Sequence, residues 1–287
     1  LYPPGAPPRG GRIRGRGGAL SEGIESVKLE LGFRGTLDSW PTHMRKVIAE
    51  KILMKPSSVL LAIVLVTLGW MPSNSRAETE QNSGIWMMKA SQGVLGSRES
   101  AARWWFDAHA RYSDDANGFE QSIIRPGIGY ALPKNHVVWA GYGWIANSPE
   151  VGDLFHEHRF WQQHSWKTSI KKFGFSSRSR LEQRFREGRN DDTGWRFRQF
   201  FKLTHPLGTS TSFYLSTWDE VFVNLNNTDW GADSGLDRNR TFVGIGWKPV
   251  AEGAFRTEVG YLNQFIYNSS GTDRVDHLLS LNVFLSF

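Results

Sequence analysis

Apolar and polar residues alternate along most of the chain from residue 103 onward, in segments that Gly, Pro, Asn, Asp and Ser separate. A period of two is typical of a β-strand whose two faces meet different surroundings. The last segment is the clearest, because five of its six odd positions from 277 to 287 are apolar. The pattern predicts ten strands, near 103–112, 119–131, 136–146, 155–170, 175–187, 194–205, 211–224, 238–248, 254–267 and 276–287.

The arrangement of these strands favours an all-β, antiparallel transmembrane β-barrel of the bacterial outer membrane over a periplasmic β-sandwich with an aromatic core. An even strand number suits a barrel that has both chain ends on the periplasmic side, long outer loops and short inner turns. If the last strand runs toward the periplasm, the outer loops are 113–118, 147–154, 188–193, 225–237 and 268–275. Glycines alternate within the strands, where we expect them to ease barrel curvature, at 127, 129, 141, 143, 244, 246 and 260.

The final strand ends on Phe287, with apolar residues two, four, six and eight positions before it. This spacing is typical of the C-terminal strand that the barrel-insertion machinery of outer membranes reads. Phe287 is therefore the predicted insertion signal. The expected partners are that machinery, outer-membrane lipid and lipopolysaccharide.

Residues 78–102 precede the predicted barrel at 103–287 and leave its strand number open. The stretch GIWMMKASQG at 84–93 is an eleventh strand, which breaks the even count, or one of two further strands in a barrel of twelve. It is alternatively a periplasmic or lumenal segment. The pattern alone does not choose among these alternatives.

The first 77 residues have the character of a leader. Residues 1–43 are rich in Pro, Gly and Arg, which predicts either a disordered extension or a start site assigned too far upstream, with Met44 or Met54 as the true start. Residues 44–77 are predicted to form a secretory signal peptide, with its core at 54–77. Its apolar run is shorter than the roughly 20 residues that a membrane helix needs. Cleavage is expected after Ala77.

The position of the net charge along the chain matters more than its size. The formal charge is +6, and residues 1–77 supply all of it with 11 basic and five acidic residues. The predicted mature chain is therefore neutral, which argues against a nucleic-acid partner. The chain has no Cys, which excludes disulfides and thiolate metal sites.

The strand predicted at 175–187 places five charged residues on one face and apolar or small polar residues on the other. An Arg that faces lipid at the bilayer midplane costs about 2–4 kcal/mol, so the charged face is expected to line the lumen. Neighbouring strands carry charges at alternate positions too. The predicted lumen charge network is Arg125, Glu157, Arg159, Arg178, Arg180, Glu182, Arg184, Arg186, Arg196, Arg198, Glu220, Arg240, Arg256 and Glu258.

Two functions remain open for this network. Desolvated charges must pair and hydrogen-bond, so the network is a structural plug, or its excess of Arg over Glu makes it a narrow, anion-favouring channel. The alternative from another class is a lipid-acting enzyme, deacylase or lipase-like, for which His109, His156, His158, His164 and His277 are candidate bases. No G-x-S-x-G elbow accompanies them. We assign no catalytic residue, no metal site and no cofactor.

Several blocks of the chain together carry a family resemblance. They are IIRPGIGY (123–130), HEHRFWQQ (156–163), SRLEQRF (179–185), WRFRQF (195–200), DEVFVNLN (219–226), DRNRTFVGIGW (237–247) and EVGYLNQF (258–265). Over about 103–287 the sequence resembles a bacterial family catalogued as domain of unknown function 2490. The resemblance implies an outer-membrane barrel and carries over no activity.

Overall fold

The computed structural model describes residues 79–114, 118–149, 152–189, 192–209, 212–249, 254–269 and 271–287. The predicted leader, both candidate start sites and the cleavage position lie outside these residues. Within the described part the chain forms eleven strands. They are β1 (Glu80–Val94), β2 (Ala102–Ser113), β3 (Gly118–Leu132), β4 (His136–Asn147), β5 (Phe155–Ile170), β6 (Phe173–Arg186), β7 (Gly194–Pro206), β8 (Phe213–Asn224), β9 (Gly235–Trp247), β10 (Phe255–Ile266) and β11 (Arg274–Ser286).

The strands close into one barrel in which each strand pairs with its neighbours in sequence, and β1 pairs with β11. The ten predicted strands are all present, and the all-β barrel is confirmed. The count of ten is corrected to eleven, because 84–93 lies within β1. Its two faces, which carry Ile85 and Met87 on one side and Trp86 and Met88 on the other, are both apolar. The alternation of apolar and polar residues is therefore weak in β1, and this explains why the sequence left several alternatives open for 84–93.

The odd strand number changes how the barrel closes. Ten successive antiparallel pairings leave β1 and β11 pointing the same way, so their pairing is parallel, from Glu80 opposite Arg274 to Gln92 opposite Ser286. The sequence predicted a fully antiparallel barrel whose first and last strands have their chain ends on the same side. Both parts of this prediction are wrong for the eleven-stranded barrel. β1 begins at the end opposite to the one where β11 finishes.

The connections divide between the two ends of the barrel. The end at which β1 starts, here called the loop end, carries the connections at 114–117, 148–154, 187–193, 225–234 and 267–273. The opposite end, called the turn end, carries those at 95–101, 133–135, 171–172, 207–212 and 248–254. The five loops that were grouped together from the sequence therefore share one end.

Side chains alternate between an inner and an outer face along every strand. In β11, Asp276, Leu278 and Ser280 are buried, whereas Leu279 and Leu281 are exposed. Large apolar side chains are exposed on all eleven strands, while the buried positions mix aromatic, aliphatic and charged residues. No helix in the described residues is long and apolar enough to cross a membrane.

Several strand glycines make room for lumenal aromatic rings. A Cβ atom on Gly141 would overlap the Trp161 ring, and one on Gly127 would lie 2.6 Å from the same ring. A Cβ atom on Gly129 would likewise overlap the Trp139 ring. These positions therefore need glycine for close approach of a neighbouring side chain, a reason more specific than the predicted easing of curvature.

Candidate functional site

The inner face of the barrel carries the candidate site. The structure places all fourteen residues of the predicted lumen charge network on this face, because they occupy the alternate positions that point away from the exposed apolar residues. Ten of them are buried and four are partly buried. The buried ones are Arg125, Glu157, Arg159, Arg180, Glu182, Arg196, Arg198, Glu220, Arg240 and Glu258.

The densest ion pairing joins β6, β7 and β8. Glu182 accepts hydrogen bonds from Arg196 Nη2 at 2.7 Å and from Arg198 Nη1 at 2.6 Å. Arg198 Nη2 also donates to Glu220 Oε1 at 2.8 Å, and Arg178 Nη2 donates to the same oxygen at 2.8 Å. Each carboxylate thus serves two arginines, which links three strands through a continuous chain of charges.

A second cluster lies on β5 and β6. Arg159 donates through Nε and Nη2 to the two oxygens of Glu157, at 2.7 and 2.8 Å. Arg184 Nε lies 2.5 Å from Glu157 Oε1. Here too one buried carboxylate is shared by two arginines, so positive charge exceeds negative charge locally.

Sequence reasoning missed a third cluster, on β2 and β3. Asp107, which is 1% exposed, accepts from Arg125 Nε at 2.8 Å and lies 2.9 Å from His109 Nε2. Arg111 follows on the same face of β2. Alternation alone could have indicated this cluster, because Asp107, His109 and Arg111 occupy alternate positions of the strand predicted at 103–112.

Sequence reasoning also missed Lys202 and Tyr214 near the turn end and Asp276 in the β9–β11 wall. Lys202 on β7 pairs with Glu258 Oε1 at 2.5 Å, and Tyr214 donates to the same oxygen at 2.9 Å. In the β9–β11 wall, Arg240 donates to Gln264, whose amide bonds Asp276. These contacts join side chains far apart in sequence, which alternation cannot pair.

Arg180 is embedded in the wall. Its guanidinium lies 4.4 Å from the centroid of the Trp161 ring, and its Nε and Nη2 both donate to Gln163 Oε1, at 2.9 and 2.7 Å. Its Nη1 is 3.6 Å from Glu182 and has no hydrogen bond. Arg180 is therefore held chiefly by a neutral amide and an aromatic face.

A cavity of about 960 Å³ occupies the lumen. Its lining includes Arg186 and Trp230 at the loop end and Lys134 and Phe287 at the turn end, so it extends along the barrel. Among its described lining residues are twelve Arg and three Lys but two Glu. Other lumenal carboxylates, such as Glu182 and Glu258, are buried and do not line the cavity, so cations outnumber carboxylates on its wall.

The loop between β8 and β9 contributes to the lining of the cavity at the loop end. Trp230 in this loop is 9% exposed, and its Nε1 donates to the Asp192 carbonyl at 2.9 Å. Arg184 lies 4.9 Å from its ring centroid, and Arg186 Nη1 donates to its carbonyl at 3.2 Å. A Cβ on Gly194 would lie 2.6 Å from the Trp230 ring, so glycine there permits the loop to pack inward.

The remaining candidate histidines lie on the outer face. His156 Nδ1 and His158 Nε2 lie 3.0 and 2.6 Å from the two carboxylate oxygens of Glu187 in the β6–β7 loop. The hydrogen bond from His158, together with that from His156, lowers the pKa of Glu187. His158 also contacts the Tyr142 hydroxyl.

The other outer histidines have equally ordinary partners. His164 lies 2.9 Å from His136, and His277 bridges the Tyr261 hydroxyl at 2.6 Å and Gln81 at 2.7 Å. Among the described residues no histidine is hydrogen-bonded to a Ser or Thr hydroxyl, and no group of three or more His, Asp or Glu has metal-ligand geometry. The geometry therefore lends no support to the enzyme alternative.

Phe287 closes the turn end of the seam between β1 and β11. Its backbone N–H donates to the Gln92 carbonyl at 2.9 Å, and its ring stacks on Trp104 at 5.8 Å between centroids. Phe287 as a whole is 73% exposed. Its role as an insertion signal stays a prediction.

Comparison with known proteins supports one assignment. The family model described as "Protein of unknown function (DUF2490)" matches residues 83–276. An uncharacterized protein of Methylorubrum extorquens is 30% identical over 233 residues, which cover 80% of this chain and 97% of that protein. No solved structure gives a significant match. The chain belongs to the DUF2490 family.

Proposed function

We propose that this protein is an integral β-barrel of the bacterial outer membrane with an anion-favouring lumen. Its outer wall supports the membrane assignment, because each of the eleven strands exposes large apolar side chains, such as Ile128 at 66% and Phe160 at 52%. Exposed apolar surface of this extent is typical of contact with a membrane or with another protein. Closure of the barrel pairs every strand edge, as a hydrocarbon environment requires.

The outer wall also contains a carboxylate, Asp219, near the middle of β8. Its oxygens accept hydrogen bonds from Asn239 Nδ2 at 3.0 Å and from Thr241 Oγ1 at 2.9 Å. Local hydrogen bonds of this kind reduce the cost of placing a polar group against hydrocarbon. Asp219 is therefore compatible with the proposed lipid contact.

The observation that carries the lumen proposal is the charge of the cavity wall. Fifteen cationic side chains and two carboxylates line one continuous cavity. Low-dielectric walls focus the field of such a charge distribution, so the lumen attracts anions and repels cations. Rings of Arg and Lys side chains have this effect in anion-selective pores.

Ion-paired and unpaired cations both line the cavity. The buried carboxylates hold arginines in register across strands, as Glu182 does for Arg196 and Arg198. Other cations line the cavity without such a partner. Arg256 has no hydrogen bond or ion pair with another described residue, and its guanidinium rests 4.7 Å from the Phe284 ring centroid. The lattice accounts for rigidity, and the surplus cations account for selectivity.

Conductance measurements test the lumen proposal. The purified protein is inserted into planar lipid bilayers, and the reversal potential is measured in asymmetric KCl. We expect discrete, anion-selective steps. Replacing Arg256 and Lys167 together by Gln should shift the reversal potential toward zero, because both line the cavity. The matched control is Lys89→Gln, which removes one charge from an exposed position on the outer face.

Two outcomes would overturn the conduit. One is a folded, inserted barrel that carries no current, which would identify the charges as a plug. The other is cation selectivity. Membrane insertion is tested separately by outer-membrane fractionation with carbonate extraction. Recovery in the carbonate-soluble fraction would overturn the membrane assignment, regardless of the conductance result.

A further inference from the structure

Two arginines of the lumen share one aromatic ring. Trp86 on β1 is buried and points inward, and its Nε1 donates to Glu120 Oε2 at 3.3 Å. The guanidinium carbon of Arg111 lies 3.9 Å from a Trp86 ring centroid, and that of Arg240 lies 4.8 Å from it. Both cations are therefore held close together by the same indole, in contacts that the negative face of the ring favours.

Neither arginine forms an ion pair with a carboxylate in the described part of the chain. Arg111 Nη1 donates to the amide oxygen of Gln121 at 2.7 Å, and Arg240 Nε donates to the amide oxygen of Gln264 at 2.7 Å. Arg111 Nε is buried and has no hydrogen-bond partner. The two residues are only 8% and 7% exposed, yet both line the cavity.

This arrangement differs from that of the arginines paired with carboxylates and is costly on its own. Buried cations require compensation, which Glu182 supplies for Arg196 and Arg198. Here neutral amides from Gln121 and Gln264 orient the guanidiniums without cancelling their charge. Both guanidiniums lie against the Trp86 ring, and both residues line the cavity. A bound anion would supply the missing compensation.

We propose that Arg111 and Arg240 form a binding site for the phosphate group of a small solute in the lumen. The guanidinium fork matches the spacing of phosphate oxygens, and two forks provide several charge-assisted hydrogen bonds. The cavity, at about 960 Å³, lies within the size range of small-molecule sites. Glu120 is the carboxylate that acts electrostatically on Arg111, and its Oε2 accepts from Trp86. Glu220, which acts on Arg240, accepts from Arg178 and Arg198.

The site deepens the proposed function by naming an anion class, and it rests on that proposal only for the route by which the solute arrives. Isothermal titration calorimetry on the folded protein in detergent tests it directly. Sodium phosphate is titrated at constant ionic strength against a chloride reference. Arg111→Gln and Arg240→Gln should each weaken phosphate binding by about tenfold or more, the loss expected for a charge-assisted hydrogen bond.

Arg103→Gln is the matched control. Arg103 lines the same cavity at the turn end, and its Nη1 donates to the Ala102 carbonyl at 2.9 Å. This variant should bind phosphate as the wild type does. Both site variants remove a buried cation that lacks a carboxylate partner and leave no carboxylate unpaired, so each should fold. If one of them fails to fold, the other carries the test.

The outcomes separate the site from the conduit. Phosphate binding no tighter than chloride binding, or equal weakening by Arg103→Gln, would overturn the site, because diffuse positive charge would then explain the result. Specific binding by a barrel that carries no current would support the site and overturn the conduit alone. Anion-selective current without specific phosphate binding would support the conduit and overturn the site alone.

Discussion

Replacement of Glu182 by Gln is the sharpest test of the lattice in the barrel wall. Glu182 is 0% exposed. Its Oε2 accepts from Arg196 Nε at 3.1 Å and Nη2 at 2.7 Å, and its Oε1 accepts from Arg198 Nη1 at 2.6 Å. Gln preserves the shape of the side chain, but it removes the negative charge and one acceptor oxygen.

The expected loss follows from these contacts. Removing one partner of a buried ion pair leaves an uncompensated charge and costs about 3–5 kcal/mol. Arg198 retains Glu220, and Arg196 retains Asp237 at 3.4 Å, so the lower end of this range applies. We expect the free energy of unfolding to fall by about 3 kcal/mol. With a urea slope of roughly 1–3 kcal/mol/M, the unfolding midpoint falls by about 1–3 M.

Equilibrium unfolding in urea, with the protein inserted in lipid vesicles and followed by tryptophan fluorescence, measures this change. The control is Glu187→Gln, which removes a carboxylate from an exposed loop position and should leave the midpoint where it is. An unchanged midpoint for Glu182→Gln, with Glu187→Gln behaving as the wild type, would refute the idea that shared carboxylates hold the wall together.

Two further substitutions test the packing of the lumen. Gly141→Val should destabilise the barrel by about 1–3 kcal/mol, because the added Cβ overlaps the Trp161 ring and the Pro126 carbonyl; a wild-type urea midpoint would contradict this. Trp230→Ala should enlarge the single-channel step of a conducting barrel, because it removes a large indole that lines the cavity at the loop end, where Trp230 contacts Arg184. An unchanged step would mean that the narrowest point lies elsewhere.

The sequence predicted the strands well because most of them have chemically different faces. On β6 every inward position from Arg178 to Arg186 is charged, and the outward positions between them are apolar or polar without charge. β1 lacks this contrast, since Trp86 and Met88 point inward while Ile85 and Met87 point outward. Its assignment depends on pairing with β11, a partner that follows it by almost two hundred residues. Local alternation contains no information on that pairing.

Alternation likewise predicts which residues line the lumen but not which of them contact one another there. Alternation predicts that Arg111 and Arg240 face inward once their strands are known, but it does not reveal that they meet on Trp86. That contact depends on closure of β1 between β2 and β11, which brings residues from both ends of the chain together. Whether an inward arginine stabilises the wall or attracts an anion is decided by its partner. Glu182 pairs with its arginines as a carboxylate, whereas Gln121 and Gln264 contribute only neutral amides, and this difference becomes visible only in three dimensions.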